Sequence, residues 1–508
     1  MIKSRPRVLA VLVAAAVPLA AVPAAASPVR APAGGDGEVP RPAWHDCPAT
    51  WGMPAGWQCA MYPVPRDYAR PGGGTLSLAL ARLPAKGRSK GSVFFNPGGP
   101  GGSGLDAASL WKEYVGASVR RSYDLVTWAP RGVIPSRKAL RCTTDAQYEK
   151  ASPPDAVLTE REMRHRLNAS ADIARRCAKR PLTPYVTTVD NVRDLDRLRQ
   201  AVRDKRLGYV GISYGTVIGA VYANLYPGRY RALVLHGVVD SVTWSKPTFV
   251  FTKDDARELE RTFAATLRAC DAAPKNCAFA PRATAKYAEL LAVVRKRSLA
   301  AHDSRMFTGL NRLAHQMAVG VPQASRPAAE QLQAAYNELL RRRSAESPTL
   351  LEQAAKPQRP IVRGTGEETN SGNVRDATLC SDAGRMTHDR SAWVRAARAA
   401  DRQATTFGTG SVLDRSMCAS WTAYGARHAG GWGAGRRPIL LLNERWDHAT
   451  PLAWARTMAR RLGETRLITI EGFGHGIQTP CGRGKVDHYL LTGHLPKGTT
   501  CEDGPRPF

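Results

Sequence analysis

One serine in this chain stands where a serine could attack a carbonyl carbon. Ser213 is the centre of Gly211-Ile212-Ser213-Tyr214-Gly215. An apolar run, Tyr209-Val210, precedes it, and small and apolar residues from Val217 to Tyr226 follow. Strand, sharp turn and helix in that order form a nucleophile elbow, which projects the hydroxyl from the carboxyl edge of a sheet. The bare G-x-S-x-G pattern is common in glycine-rich chains. The flanking strand and helix are what make Ser213 a candidate nucleophile.

A serine hydroxyl is weakly nucleophilic and needs a base that is itself oriented by an acid. In strand–elbow–helix hydrolases the chain order is serine, acid, histidine. The apolar run Pro438–Leu442 leads into Asn443-Glu444-Arg445-Trp446-Asp447-His448-Ala449-Thr450-Pro451, and Asp447 falls in the loop after it. The run Arg466–Ile470 leads into Glu471-Gly472-Phe473-Gly474-His475-Gly476. Asp447 and His475 are therefore the expected acid and base, on neighbouring strand ends at the edge that carries Ser213. Asp240, after the run Ala232–Leu235, competes for the acid role, with Glu444 and Asp382 as weaker rivals. His448 is expected to be solvated or to cap the next helix. His236, His488 and His494 lack the context of a base.

Acyl transfer also needs donors for a developing oxyanion. Asn96-Pro97-Gly98-Gly99-Pro100-Gly101-Gly102-Ser103-Gly104 follows the strand-like Phe94-Phe95. Successive glycines let backbone N–H groups converge on one point. Gly99 is the expected donor from this loop, with Gly98 as runner-up, and the N–H of Tyr214 is the second. No Lys-Ser/Thr follows the glycines, so a phosphate-binding loop is excluded. Ser103 reads as a turn or cap.

These loops need a scaffold. Thr75–Leu83, Ser92–Asn96, Tyr123–Trp128, Gly208–Ile212, Ala232–Leu235, Pro438–Leu442 and Arg466–Ile470 are short apolar runs bounded by glycine or proline, as buried parallel strands are. They alternate with helical stretches, which predicts an α/β fold with a mostly parallel central sheet. The rhythm stops near residue 245. Asp254–Ala269, Ala283–Arg297 and Ala328–Arg343 then read as helices, and the polar, glycine-rich segment 360–376 reads as mobile. The expected organisation is a core over 46–245 and 436–508, with a mainly helical lid over 246–435.

The chain has 508 residues and 10 cysteines, with a net charge of +30. Lys3, Arg5 and Arg7, an apolar stretch from Val8 to Val22, and Ala24-Ala25-Ala26 read as a signal peptide over 1–26, followed by a flexible leader over 27–45. No later segment is apolar enough to span a bilayer, so no stable membrane insertion is expected. Export favours disulfides, and neighbour pairing gives Cys47/Cys59, Cys142/Cys177, Cys270/Cys277, Cys380/Cys418 and Cys481/Cys501. The basic residues are dispersed, which fits a solvated surface, with weak attraction to anionic cell walls as the alternative. No nucleic-acid module is present and no Cys/His cluster suggests zinc. The chemistry described needs no metal or cofactor.

NPGGPGGSG, YDLVTWAPRG, GISYGT, ALVLHGVVD, ERWDHATP and GFGHG together resemble the secreted tripeptidyl aminopeptidases, α/β-hydrolase relatives of the prolyl aminopeptidases. The resemblance runs over about residues 45–500 and includes Cys380-Ser381-Asp382. Three positions depart from the family pattern: Ala129 and His236 stand where aspartate is usual, and Ile134 where glycine is usual. None is a triad position. The resemblance implies a serine peptidase that releases short peptides, tripeptides by analogy, from peptide or protein substrates with a free N-terminus. It also implies lid carboxylates that hold the substrate ammonium, since a buried ammonium needs a paired charge. Asp382, Glu367 and Glu368 are the candidates. A carboxylesterase or lipase with the same triad, and a non-catalytic binding protein on this fold, are the rival readings.

Overall fold

The computed structural model describes residues 39–151, 156–341, 350–355 and 367–508. The signal peptide read at 1–26 and most of the leader lie outside the described residues. Ten described strands form one sheet: β1 His45–Asp46, β2 Gln58–Pro65, β3 Thr75–Leu83, β4 Ser92–Asn96, β5 Asp124–Trp128, β6 Leu207–Ile212, β7 Tyr230–His236, β8 Ile439–Trp446, β9 Thr465–Phe473 and β10 Thr500–Cys501. Their order is β1-β2-β3-β5-β4-β6-β7-β8-β9-β10. β1, β2, β3 and β5 pair antiparallel, and from β5 to β10 every neighbour is parallel. The α/β fold with a mostly parallel sheet, predicted from the strand rhythm, is what the chain adopts.

The parallel strands are apolar because both faces are covered. All five residues of β4 are buried, as are Leu207 to Gly211 of β6. Such strands read as continuous apolar runs rather than alternating ones. β2 was not predicted. Pro63 and Pro65 interrupt it, and proline removes a ladder donor. Both lie beyond the two residues of β1, where no further strand asks for that donor.

A buried ion pair ties the antiparallel edge to the helix Thr188–Ala201. Arg131 donates to both oxygens of Asp194 at 2.7 Å and to the carbonyls of Pro65, Arg66 and Tyr185. That helix packs on the helix that follows Ser213.

Between β7 and β8 the described residues are mainly helical, with non-helical chain over 421–438. Val250–Ala272, Ala283–Ala301, Arg305–Ala318 and Pro322–Tyr336 build a second apolar cluster around Phe263, Leu290, Leu310 and Leu332. Val374, Trp393 and Trp421 pack instead with the main core. The segment read as mobile at 360–376 differs in part, because a helix runs Glu367–Ala383. Gly372 sits inside it because an added Cβ would lie 2.5 Å from the Tyr148 hydroxyl. Asn370 anchors this helix to the loop after β5, accepting from Ile134 N–H and donating to the Gly132 and Leu140 carbonyls. All five neighbour disulfides form. Among the described residues no helix is long and apolar enough to cross a membrane.

Candidate active site

Ser213 joins β6 to the helix Tyr214–Leu225 with φ 56° and ψ −126°. A non-glycine residue at positive φ is costly and persists only where its surroundings hold it. Here Ser213 N–H donates to the His236 carbonyl at 3.0 Å. A second G-x-S-x-G, Gly87-Arg88-Ser89-Lys90-Gly91, lies on exposed chain before β4 and forms no elbow. The motif alone therefore discriminates nothing; the strand–turn–helix context does.

β8 ends one residue before Asp447, and β9 ends two before His475. Parallel pairing of the two strands brings these ends together. His475 Nδ1 lies 2.9 and 3.1 Å from the two Asp447 carboxylate oxygens. Asp447 is buried and also accepts from Ala449 N–H, Thr450 N–H and the Thr450 hydroxyl, each at 2.8 Å. Burial alone would raise its pKa, but the His475 charge and hydrogen bond reverse this and hold it below the ordinary value. Burial would lower His475, yet the Asp447 charge and bond raise it. Each partner thus favours the charged form of the other. His448 packs edge-on to His475 with ring centres 5.9 Å apart, and burial pushes it down to about 3, so it stays neutral. Asp240 caps the turn Ser241–Trp244, accepting from Val242 N–H and the Thr243 hydroxyl. Glu444 faces His236, not His475.

The glycine loop lies against the elbow. A Cβ on Gly98 would stand 2.6 Å from the Ile212 carbonyl, 2.8 Å from Ser213 Cβ and 2.9 Å from Tyr214 N. Gly98 N–H is engaged with the Asn96 side chain at 3.0 Å. That favours Gly99, which borders the same cavity as Ser213 and Tyr214, as the loop's donor.

Comparison with known proteins agrees with this arrangement. The family profile described as "alpha/beta hydrolase fold" matches residues 91–356, and "TAP-like protein" matches 404–501. A tripeptidyl aminopeptidase of Streptomyces lividans is 30% identical, covering 91% of this chain and 87% of its own. Carboxylesterase B of Mycobacterium tuberculosis is 29% identical, covering 86% and 85%. Serine protease Hip1 of the same species is 41% identical over 37% of each chain. The chain belongs to the tripeptidyl aminopeptidase family of α/β hydrolases. By family it is a serine peptidase. Among solved structures, a proline iminopeptidase of Mycobacterium smegmatis aligns with 85% of this chain and 98% of its own, at 12% identity and a TM-score of 0.39.

Within this family member a cavity of about 190 Å³ opens beside Ser213. Trp244, Phe251 and Trp454 line it together with Asp255, Asp414, Arg375 and Arg415, the last stacked 4.2 Å over the Phe251 ring. Asp255, Arg375, Ser411 and Asp414 also border a second cavity of about 370 Å³. Asp414 is paired with Arg375. Burial, helped by the Asp414 charge, pushes Asp255 up to about 7, against a Ser411 hydrogen bond and the Arg415 and Arg375 charges. Sequence reading did not single out these four residues. Their only signal was a charged pair, Asp254-Asp255, on an amphipathic helix.

Asp382 does not line this cavity. It accepts from Thr188 N–H at 3.1 Å, from the Thr188 hydroxyl, and from Trp244 Nε1 at 3.0 Å. Thr188 in turn bonds the Tyr214 hydroxyl at 2.7 Å. Asp382 thus sits behind the residue that follows the nucleophile. Glu367 and Glu368 begin the helix Glu367–Ala383, but their side chains lie outside the described residues.

Proposed function

We propose that this peptidase is exported and releases short peptides, of about tripeptide length, from free N-termini through an acyl-enzyme on Ser213. His475 takes the serine proton as Oγ attacks the scissile carbonyl. The N–H groups of Gly99 and Tyr214 hold the oxyanion. His475 then protonates the leaving amine, and the same residue activates the water that hydrolyses the ester. Asp447 orients His475 and stabilises its charged form.

The observation that carries the exopeptidase reading is Asp255 in the wall of the Ser213 cavity. Burial and the Asp414 charge raise this carboxylate although Arg415 and Arg375 oppose the rise, so a further cation would be favoured beside it. A substrate ammonium would supply that cation, with Asp414 beside it. We assign the anchoring role to Asp255 ahead of Asp382, whose acceptors are already engaged, and of Asp414, which is paired with Arg375. The aromatic lining of the cavity and the likeness to Carboxylesterase B favour a second reading, an esterase for apolar acyl groups.

One assay decides between them: cleavage of free and N-acetylated tripeptide amides and of an apolar acyl ester by wild type, Ser213→Ala and Asp255→Asn. Ser213→Ala should lower kcat by about 10⁴-fold or more. Asp255→Asn should raise KM for the free substrate about 10–100-fold, the loss of one hydrogen bond to a charged group worth ~1.5–3 kcal/mol. Equal cleavage of free and blocked amides would sink the exopeptidase reading, and turnover of an apolar acyl ester without cleavage of either amide would support the esterase.

A further inference from the structure

A second buried carboxylate stands behind the loop that carries His475. Glu444 lies on β8, three residues before Asp447, and is fully buried. Its Oε1 accepts from Ile477 N–H at 2.6 Å and its Oε2 from Gly476 N–H at 3.3 Å. His236, also fully buried at the end of β7, reaches Oε1 through Nε2 at 3.1 Å. His236 Nδ1 lies 2.7 Å from the Tyr114 hydroxyl. Gln478 Nε2 donates to the Tyr114 backbone carbonyl at 2.8 Å.

The hydrogen positions follow from the partners. A carboxylate only accepts, so His236 carries its proton on Nε2. Nδ1 and the Tyr114 hydroxyl bond each other at 2.7 Å. Every polar atom in the chain Tyr114–His236–Glu444 is satisfied. Two donors to Glu444 and one tether to Tyr114 come from the three residues after His475. The side chains of the cluster grip the base's own loop, while the His236 backbone carbonyl separately accepts from Ser213 N–H. A buried charge kept only for stability is a poor bargain, since apolar replacements are often as stable.

We propose that Glu444, held by His236 and Tyr114, is the positioning residue of the His475 loop, fixing Gly476 and Ile477 so that the base keeps its place relative to Ser213. The inference rests on the Ser213–His475–Asp447 reading. The Glu444 charge also favours the imidazolium, alongside Asp447. The groups facing His475 are Asp447 and His448, with the Glu444 charge acting from behind its loop; those facing Glu444 are His236 and, beyond it, Tyr114.

The test uses Glu444→Gln, His236→Leu, His236→Gln and Ser213→Ala in the full chain, with melting temperature measured for each. Glu444→Gln keeps the shape and removes the charge. It should lower kcat about tenfold with KM within twofold, and shift the acid limb of kcat/KM to lower pH. His236→Leu, which removes the donor, should lower kcat in the same direction, and His236→Gln, which restores an N–H, should recover it. If Glu444→Gln does not fold, the His236 pair decides: loss with leucine and recovery with glutamine supports the proposal. Folded Glu444→Gln or His236→Leu with wild-type kcat and pH profile overturns it. If Ser213→Ala keeps wild-type turnover, it is the catalytic reading that falls instead.

Discussion

Gly237→Ala isolates the placement of His475 from everything else in the site. Gly237 follows β7 with φ +63°, and an added Cβ would lie 2.8 Å from His475 Cε1, 3.0 Å from Nδ1 and 3.1 Å from the Thr450 hydroxyl. Carbon atoms rest at about 3.5–4 Å, so the ring must retreat by roughly 0.5–1 Å. It has no free direction for this, because Asp447 holds Nδ1 at 2.9 and 3.1 Å. A misplacement of about 1 Å costs about 10²-fold in rate. Alanine in the left-handed region costs a further ~1–2 kcal/mol of stability. Gly228→Ala separates the two effects. Gly228 has φ +84° and nothing within 4 Å of an added Cβ, so it bears the backbone strain alone. Melting temperature, kcat/KM on a tripeptide amide and the rate of labelling by a fluorophosphonate would be measured for both. Both variants should lose similar stability, and only Gly237→Ala should lose about two orders of magnitude in kcat and in labelling. A folded Gly237→Ala that turns over within threefold of Gly228→Ala would refute the assignment of His475 as the base.

Gly98→Ala should lower kcat about 10²–10³-fold, the usual cost of one oxyanion donor, because its Cβ would press on the backbone of Ile212 and Tyr214 and force the loop away; steady-state kinetics would show it. The acid limb of kcat/KM should lie above the ordinary histidine value, because Asp447 raises His475 and only the neutral ring accepts the serine proton. For free N-terminal substrates that limb should be steeper than one proton, since Asp255 is charged only above about 7, whereas for Asp255→Asn it should fall to one proton. Arg131→Leu should destabilise the fold by about 3–5 kcal/mol, seen in denaturant unfolding, because it leaves Asp194 buried without its partner.

The three residues proposed as the triad were legible because each lies within two residues after the end of a strand, and strand ends are marked by apolar runs that stop. Ser213, Asp447 and His475 each follow such a run. The neighbour disulfides were legible for a related reason: each links segments close in the chain, the widest being Cys380 and Cys418 at 38 residues apart. The cavity wall was not legible. Asp255, Arg375 and Asp414 sit on three separate helices or their ends, and only the packing of those helices brings them to one place. Nor was the role of Glu444, which sequence spacing could read only as a rival to Asp447. Its partners come from β7, from the helix Ala108–Tyr114 and from the loop after β9, and no spacing rule connects these.

What separates the carboxylates of this site is how many of their acceptor positions are filled. A carboxylate offers about four. Asp447 meets Ala449, Thr450 twice and His475, so it has no capacity left for a substrate. Asp382 meets two groups of Thr188 and the indole of Trp244, and it supports Tyr214 from behind. Glu444 meets two backbone N–H groups and His236. Asp255 has the Ser411 hydroxyl and lies on a cavity that reaches Ser213. Saturated carboxylates hold the protein's own parts in place, and the unsaturated one is left to take a ligand. An acceptor raised by burial and facing open space gains most from a cation, and the only cation that a peptide reliably presents at a fixed distance from its scissile bond is its N-terminal ammonium. The distance from Ser213 to Asp255 would then set the length of the released peptide. A longer carboxylate reach shortens the gap to Ser213, so Asp255→Glu, which moves the charge by one methylene toward the cavity, should shift cleavage toward shorter products when a mixed-length peptide ladder is digested and analysed by mass. Unchanged product length in a folded Asp255→Glu that still discriminates free from blocked substrates would place the anchor elsewhere in the wall.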